Sequence, residues 1–297
     1  MKHPADELLK NAIDMHCHCY PEFTLEAKKR MEDLEWITMA ARMGMRAAVL
    51  KSHFWPTMTN VYFLERQVTE SFKIFSSITL NACCGGVNAW AVEAAAKQGA
   101  KVIWMPTWSS KNDLELKSVS RIVKKYITHL QNYQLEGLRI SDSQGLIPEA
   151  KEIIQIAKEM DLVLFTGHIS PVESLELARY ANKVGFNKLI FSHPDNPSVR
   201  ASTKEMKEMI RMGAFVEFCF LGTLPLIQRK HPRDMLNLIR EVGAERCILT
   251  TDSFHDWPPP APEIMRMCIA SLLELGISEE EMKKMVQSNP AALLGLE

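Results

Sequence analysis

Eight short apolar runs recur along the chain in one pattern, a short apolar run and then an amphipathic stretch. They are Ala12–His18, Ala47–His53, Lys73–Leu80, Lys101–Thr107, Leu162–His168, Lys188–His193, Ala214–Phe220 and Cys247–Asp252. They are rich in Val, Ile, Leu and Phe and show little alternation, as strands buried on both faces of a parallel sheet do. Helical periodicity fills most of the intervals: Leu25–Met43, Val87–Gln98 before Gly99, Ser118–Gln131, Ile147–Met160, Ser202–Met212 before Gly213, and Arg233–Val242 before Gly243. Ser170-Pro171-Val172-Glu173 reads as a helix start, with Ser as N-cap, Pro in the first turn and Glu closing a capping box. Strand and helix alternating in this way predict an α/β protein of the (β/α)8 TIM barrel type, a single domain over residues 1–297. A doubly wound open sheet is the structural alternative. The piece Leu135–Ile140, between two helical stretches, reads as an extra strand or a loop outside the barrel.

The polar residues fall at the ends of the apolar runs. Of nine histidines, His16, His18, His53, His168 and His193 end strand-like runs and His255 lies just beyond the last. In such barrels the C-terminal strand ends form the site. Alternation in a strand puts Asp14, His16 and His18 on one side, toward the barrel mouth. Met15, Cys17 and Cys19 then face the helix layer as small core residues. Asp252 ends the eighth run, where a buried carboxylate needs a partner. Imidazoles beside a carboxylate are a donor set for a divalent metal with an open position for water. The second run repeats the design with Lys51 and His53. Lys51 reads as a cation for a substrate carboxylate or phosphate, as a proton donor, as a carbamylated metal ligand, or as half of an ion pair with Asp14 or Asp252. His53 reads as a substrate contact or a rim residue, and His255 and Asp256 as surface. Phe54, Trp55, Trp104, Trp108 and Trp257 could wall a pocket or simply pack. Cys83-Cys84-Gly85-Gly86 reads as a tight loop sooner than as a reactive thiol.

Composition narrows the partners. The chain has 297 residues, is 46% hydrophobic and carries a formal net charge of -1. No basic stripe or apolar span is present, which argues against nucleic acid and membrane and for a small molecule. Seven scattered cysteines and an opening without an apolar signal region lead us to expect reduced thiols and a cytoplasmic location. The composition leaves the oligomeric state open, a homo-oligomer included.

These residues resemble the amidohydrolase superfamily of metal-dependent hydrolases, which includes the TatD-like and phosphotriesterase-like enzymes. The matching pieces are His16-x-His18, His168 in FTGH, His193 in IFSHP, Asp252 in LTTD and the closing NPAALLGL from Asn289. They stand in the family's order and span nearly the whole chain. The resemblance implies a barrel with one or two divalent metals, zinc first, with manganese or iron as alternatives. It implies a metal-activated water that attacks an ester, amide, lactone or phosphoester bond. His16, His18 and Asp252 would hold one metal, with Asp252 shuttling the proton; His168 and His193 would hold a second or contact the substrate. The fourth run, VIWMPTWS, lacks the family's bridging Lys or Glu. Lys51, if carbamylated, is the nearest substitute, and Glu217 is a further acidic candidate. A metal-dependent decarboxylase or lyase, and a degenerate barrel that only binds a ligand, are the competing functions. A TatD-like nuclease is disfavoured by the missing basic patch.

Overall fold

The computed structural model describes residues 3–26, 31–68, 71–127, 129, 136–225, 227, 229–254 and 257–296. Eight parallel strands follow one another in chain order around a barrel: β1 Ile13–His18, β2 Ala47–Lys51, β3 Lys73–Thr79, β4 Ala100–Trp104, β5 Val163–Phe165, β6 Leu189–Phe191, β7 Phe215–Cys219 and β8 Cys247–Thr250. The ring closes beyond β8, where Asp252 N donates to His16 O at 2.9 Å and His18 N donates to Ser253 O at 3.1 Å. Every neighbouring pair in the sheet is parallel. The strands keep chain order and the first meets the segment after the last, so an open doubly wound sheet is ruled out.

Two buried layers result. Ile13, Met15, Val49, Val102, Trp104, Val163, Phe165, Ile190 and Ile248 pack with one another inside the barrel. Cys17, Cys19, Leu50, Ile103, Leu164 and Val216 pack outward with the helices. The C-terminal helix Asn289–Leu294 adds Ala291, Leu293 and Leu294 to the interior cluster. No described helix is long and apolar enough to cross a membrane.

Most elements lie where the periodicity places them, and the differences have local causes. The helix read from Leu25 begins at Asp33 in the described residues, and residues 27–30 lie outside them. The short helices Pro4–Leu9, Met58–Leu64 and Lys111–Leu116 are absent from the sequence reading because six or seven residues show too little periodicity to stand out, and the 14-residue helix Ala261–Glu274 is absent from it too. The helix read as Ser118–Gln131 is seen as Val119–Tyr126. In Leu135–Ile140, residue 135 lies outside the described residues; the rest is loop, with one parallel bridge from Leu138 to Ser110. Ser170 caps its helix as read: Glu173 N donates to Ser170 Oγ at 3.2 Å and Ser170 N donates to Glu173 Oε2 at 3.0 Å.

One expectation about orientation fails. Asp14 does not share the mouth-facing side with His16. The β1–β2 register slips between Asp14 and Cys17, a bulge with two residues of β1, Met15 and His16, against one of β2, Val49. Ile13 and Met15 therefore point inward below the bulge, and His16 and His18 point inward above it. Asp14 faces away, accepting from Thr251 Oγ1 at 2.6 Å and Thr251 N at 3.1 Å. An ion pair of Lys51 with Asp14 is thereby excluded.

Candidate metal centre

Strand ends bring His16, His18, Lys51, His53, His168, His193 and Asp252 to one place, all of them buried. His16 and His18 lie within β1 and Lys51 ends β2, while the other four lie just past their strands. His53, His168, His193, Lys51 and Asp252 line a cavity that opens to solvent. His53 is thus not a rim residue. The cavity's aromatic wall is Phe254; the five aromatics read as wall candidates do not line it. Trp104 instead lies under the floor, 4.4 Å from the His16 ring and stacked on Phe165 at 3.8 Å. His255 and Asp256 lie outside the described residues.

Three donor atoms converge at the floor. His16 Nε2 stands 3.1 Å and His18 Nε2 3.3 Å from Asp252 Oδ1. Ligand atoms about 2.0–2.2 Å from a tetrahedral metal stand roughly 3.3–3.5 Å apart, so this spacing fits a divalent ion. Two further groups offer donors within 4.8 Å of one another: His16 with His193 and Glu217, and His18 with Glu22 and His53. His168 belongs to none of the three groups, although its ring lies 5.0 Å from that of His193. His193 Nδ1 is buried with no hydrogen-bond partner, an arrangement that a bound ion would relieve.

A shell of acceptors aims the rings. His16 Nδ1 meets Glu217 Oε1 at 2.9 Å, His18 Nδ1 meets Glu22 Oε1 at 3.1 Å, His168 Nδ1 meets Asp113 Oδ2 at 2.7 Å, and His53 Nδ1 meets Thr107 Oγ1 at 3.1 Å. At His16 and His168 the carboxylate at Nδ1 fixes the tautomer and leaves Nε2 as the free ring nitrogen, the arrangement typical of ligating histidines. Glu217 does more than pair with His16: its carboxylate also accepts from Thr250 Oγ1 at 2.9 Å and from His193 N at 3.1 Å. It therefore ties β1, β8 and the turn after β6 together. Asn81 does the same for the other wall, donating to His53 O at 2.9 Å and to Thr107 Oγ1 at 2.7 Å. Lys51 Nζ lies 2.9 Å from His16 Nε2 and 4.3 Å from the Trp104 ring centroid.

Backbone strain marks the same places. His193 has φ 23° and Asp252 φ 54°, left-handed conformations that non-glycine residues rarely adopt. Gly167, before His168, has φ +62°, and an added Cβ would sit 2.3 Å from Met105 O and 2.7 Å from Pro106 O. Neither carbonyl is a flexible side-chain end. Gly167→Ala is expected to cost about 3 kcal/mol or more in urea unfolding, combining strain and overpacking. A loss below 1 kcal/mol, on the order of an ordinary surface change, would show that the turn relaxes freely.

The electrostatics favour metal-ready side chains. Burial drives His16 and His53 well below the ordinary imidazole range, helped by Lys51 at His16 and by the neighbouring His18 at His53. Burial brings His193 down to about 3. Burial also lowers Lys51. For Asp252 burial works upward, but His16, His18 and His193 outweigh it and hold the carboxyl well below the usual range. A folded chain that keeps these imidazoles neutral refuses protons that its unfolded form takes up below pH 6.5. Stability of the chelator-treated protein should therefore fall as pH drops through that value. Asp14, raised by burial to about 6 from 3.8, acts in the opposite sense between those values, as does Glu217 in direction. Three rings outnumber the two carboxyls, so the Tm of metal-free protein should drop between pH 7 and pH 5; a flat or rising Tm would contradict this.

Eight parallel strands closed into a ring, with histidines and an aspartate at their C-terminal ends, define a (β/α)8 barrel with a cluster of candidate metal ligands at its mouth. Its sequence from residue 11 to residue 217 matches the model of DUF6282, a family of unknown function, and the chain belongs to that family. The match ends at Glu217, so Asp252 lies beyond it. Among curated proteins none matches the sequence. Solved structures with a similar fold include an amidohydrolase from Pseudomonas aeruginosa, at 13% identity and TM-score 0.64 over 98% of each chain. Another is the probable dipeptidase PvdM from the same organism, at 14% identity and TM-score 0.64, covering 98% of this chain and 97% of that one. The organophosphorus hydrolase of Deinococcus radiodurans is similar at 16% identity and TM-score 0.58, over 98% and 94%.

Proposed function

We propose that this protein is a metal-dependent hydrolase acting on an ester, amide, lactone or phosphoester bond of a small polar substrate. The observation that carries the reading is the convergence of His16 Nε2 and His18 Nε2 on Asp252 Oδ1. His16, His18 and Asp252 would hold the ion, with His193 and Glu217 as the donors of a second position beside His16. A donor set of imidazoles and carboxylates suits zinc, with manganese or iron as alternatives. Such an ion supplies a lowered pKa to a water and Lewis acidity to the scissile oxygen.

The chain's own residues do the rest. Asp252, kept ionised, accepts a proton from the attacking water and can return it to the leaving group. His168, locked through Asp113, offers Nε2 to the cavity as an acceptor, and once that nitrogen has taken a proton it can hold the scissile oxygen or protonate the leaving atom. His53 stands on the opposite side of the same cavity as a substrate contact. Lys51 is buried, and burial favours its neutral amine. That amine is the form that adds carbon dioxide, so a carbamate on Lys51 would place a carboxylate beside His16. The similar solved structures bear names of hydrolases, which supports this class of reaction. Seven free cysteines among the described residues suit a reducing, cytoplasmic setting.

Elemental analysis of protein purified without chelator should find at least one zinc, manganese or iron per chain. A screen of lactones, amides and phosphoesters should then show turnover that chelator removes and the metal restores. Protein without metal, whose Tm zinc does not raise, would end the hydrolase reading. Native mass spectrometry showing an added carbon dioxide that Lys51→Gln removes would establish the carbamate.

A further inference from the structure

The cavity has a second group of polar side chains that the proposed hydrolysis does not use. Besides the histidines it is lined by Arg229, Asn196 and Ser198, and by the apolar Val119, Ile122 and Ile227. Asn196 follows the strained His193 turn, and its Oδ1 accepts from Ser198 N and Ser198 Oγ, each at 3.2 Å, and from Arg229 Nη1 at 3.4 Å. Because the oxygen takes all three bonds, the Asn196 amide NH2 remains a donor. Arg229 N donates to Gly222 O at 2.8 Å, which ties the arginine's backbone to the turn after β7.

The charges around Arg229 are arranged unevenly. Its neighbour Lys230 is paired with Asp195, so that acid is already neutralised. Among the described residues Arg229 itself has no acidic partner, and its polar side-chain contact is the neutral Asn196. A guanidinium facing a cavity without a carboxylate leaves a planar fork of donors for an oxyanion. The apolar side chains that also line the cavity would take a short hydrocarbon segment.

We infer that Arg229, with Asn196 and Ser198, forms an anchor for an oxyanion on the substrate, a carboxylate or a phosphate other than the group that is cleaved. This rests on the hydrolase reading for the role of the histidines and Asp252. The substrate class is then a small anionic ester, amide or lactone, or a phosphoester carrying a second negative group.

Calorimetric titration of zinc-loaded protein with glutarate, methyl phosphate and uncharged dimethyl glutarate tests the anchor. Glutarate or methyl phosphate should bind saturably, and whichever binds more tightly identifies the anion. Arg229→Met should weaken that binding about ten- to hundredfold, as expected for a lost charged hydrogen bond, and Arg229→Lys by less. Dimethyl glutarate should bind equally to wild type and Arg229→Met. Arg229 is exposed, so both variants should keep the wild-type Tm. Anion binding that Arg229→Met leaves unchanged, no binding of either anion to wild type, or an equal effect on the diester would overturn the anchor. Metal analysis of the same samples separates the two readings. Metal present with Arg229-independent binding defeats the anchor alone. Absent metal with Arg229-dependent binding to the metal-free protein defeats the hydrolase reading alone.

Discussion

Replacing His16 and His18 together by asparagine is expected to remove bound metal and all chelator-sensitive turnover. Both imidazoles present Nε2 to Asp252 Oδ1, and both Nδ1 atoms are taken by Glu217 and Glu22. Asparagine keeps a polar group of moderate volume at the floor but withdraws both nitrogens that converge there. Two lost ligands of three leave Asp252 alone at that position, and metal content should fall to background by elemental analysis. Zinc should then no longer raise the Tm, since stabilisation by a ligand requires that it bind the folded state. The paired control is Cys17→Ala with Cys19→Ala. Both sulfurs lie in the outer layer, so that variant should retain its metal. Metal lost with the cysteines and kept without the histidines would invert the assignment of the first strand.

How far the sequence reaches is visible in this same strand. Eight apolar runs, six of them ending in a polar residue, are a local signal, and each of them became a barrel strand. The strand-end histidines and Asp252 followed, because the barrel's topology gathers its C-terminal ends at one mouth. The inward aim of His16 and His18 came out correctly although the reasoning for Asp14 did not. A period of two assumes an uninterrupted strand, and the bulge between Asp14 and Cys17 resets it. Bulges depend on how two strands pair, which one strand's residues do not display.

The supporting shell was the least legible part. Glu217 was visible as an acid in an apolar run, but its partner His16 lies 201 residues away. Asp113 sits in a short helix of ordinary polar composition and reaches His168 across 55 residues. Glu22 is four residues after His18, on a loop with no periodicity to orient it. Its signal, had it been weighed, was an acid close behind His-x-His. Thr107 and Asn81 carry no charge and gave no signal at all. Such residues matter because they hold a ring, and only the folded chain shows which ring each one touches.

Asp252→Asn should separate a residue that moves protons from one that merely fills its place. Asparagine tolerates the left-handed conformation about as well as aspartate, so φ 54° is no obstacle. The backbone bond from residue 252 N to His16 O that closes the barrel is unaffected. The volume is nearly unchanged, and the side chain still has an oxygen to offer. What is lost is the negative charge that three histidines hold ionised against the pull of burial. A general base that can no longer accept a proton typically costs about 10²–10⁴ in kcat, and that is the expected fall on whichever substrate the screen identifies. The Tm should change by much less than in the double histidine variant. The pH profile carries the sharper information: the fall should persist across the whole profile, because no pH restores a carboxylate to an amide. If Asp252 were only a structural cap after β8, the variant would turn over at close to the wild-type rate with an unchanged profile. If it were only a ligand, added zinc would restore kcat in full.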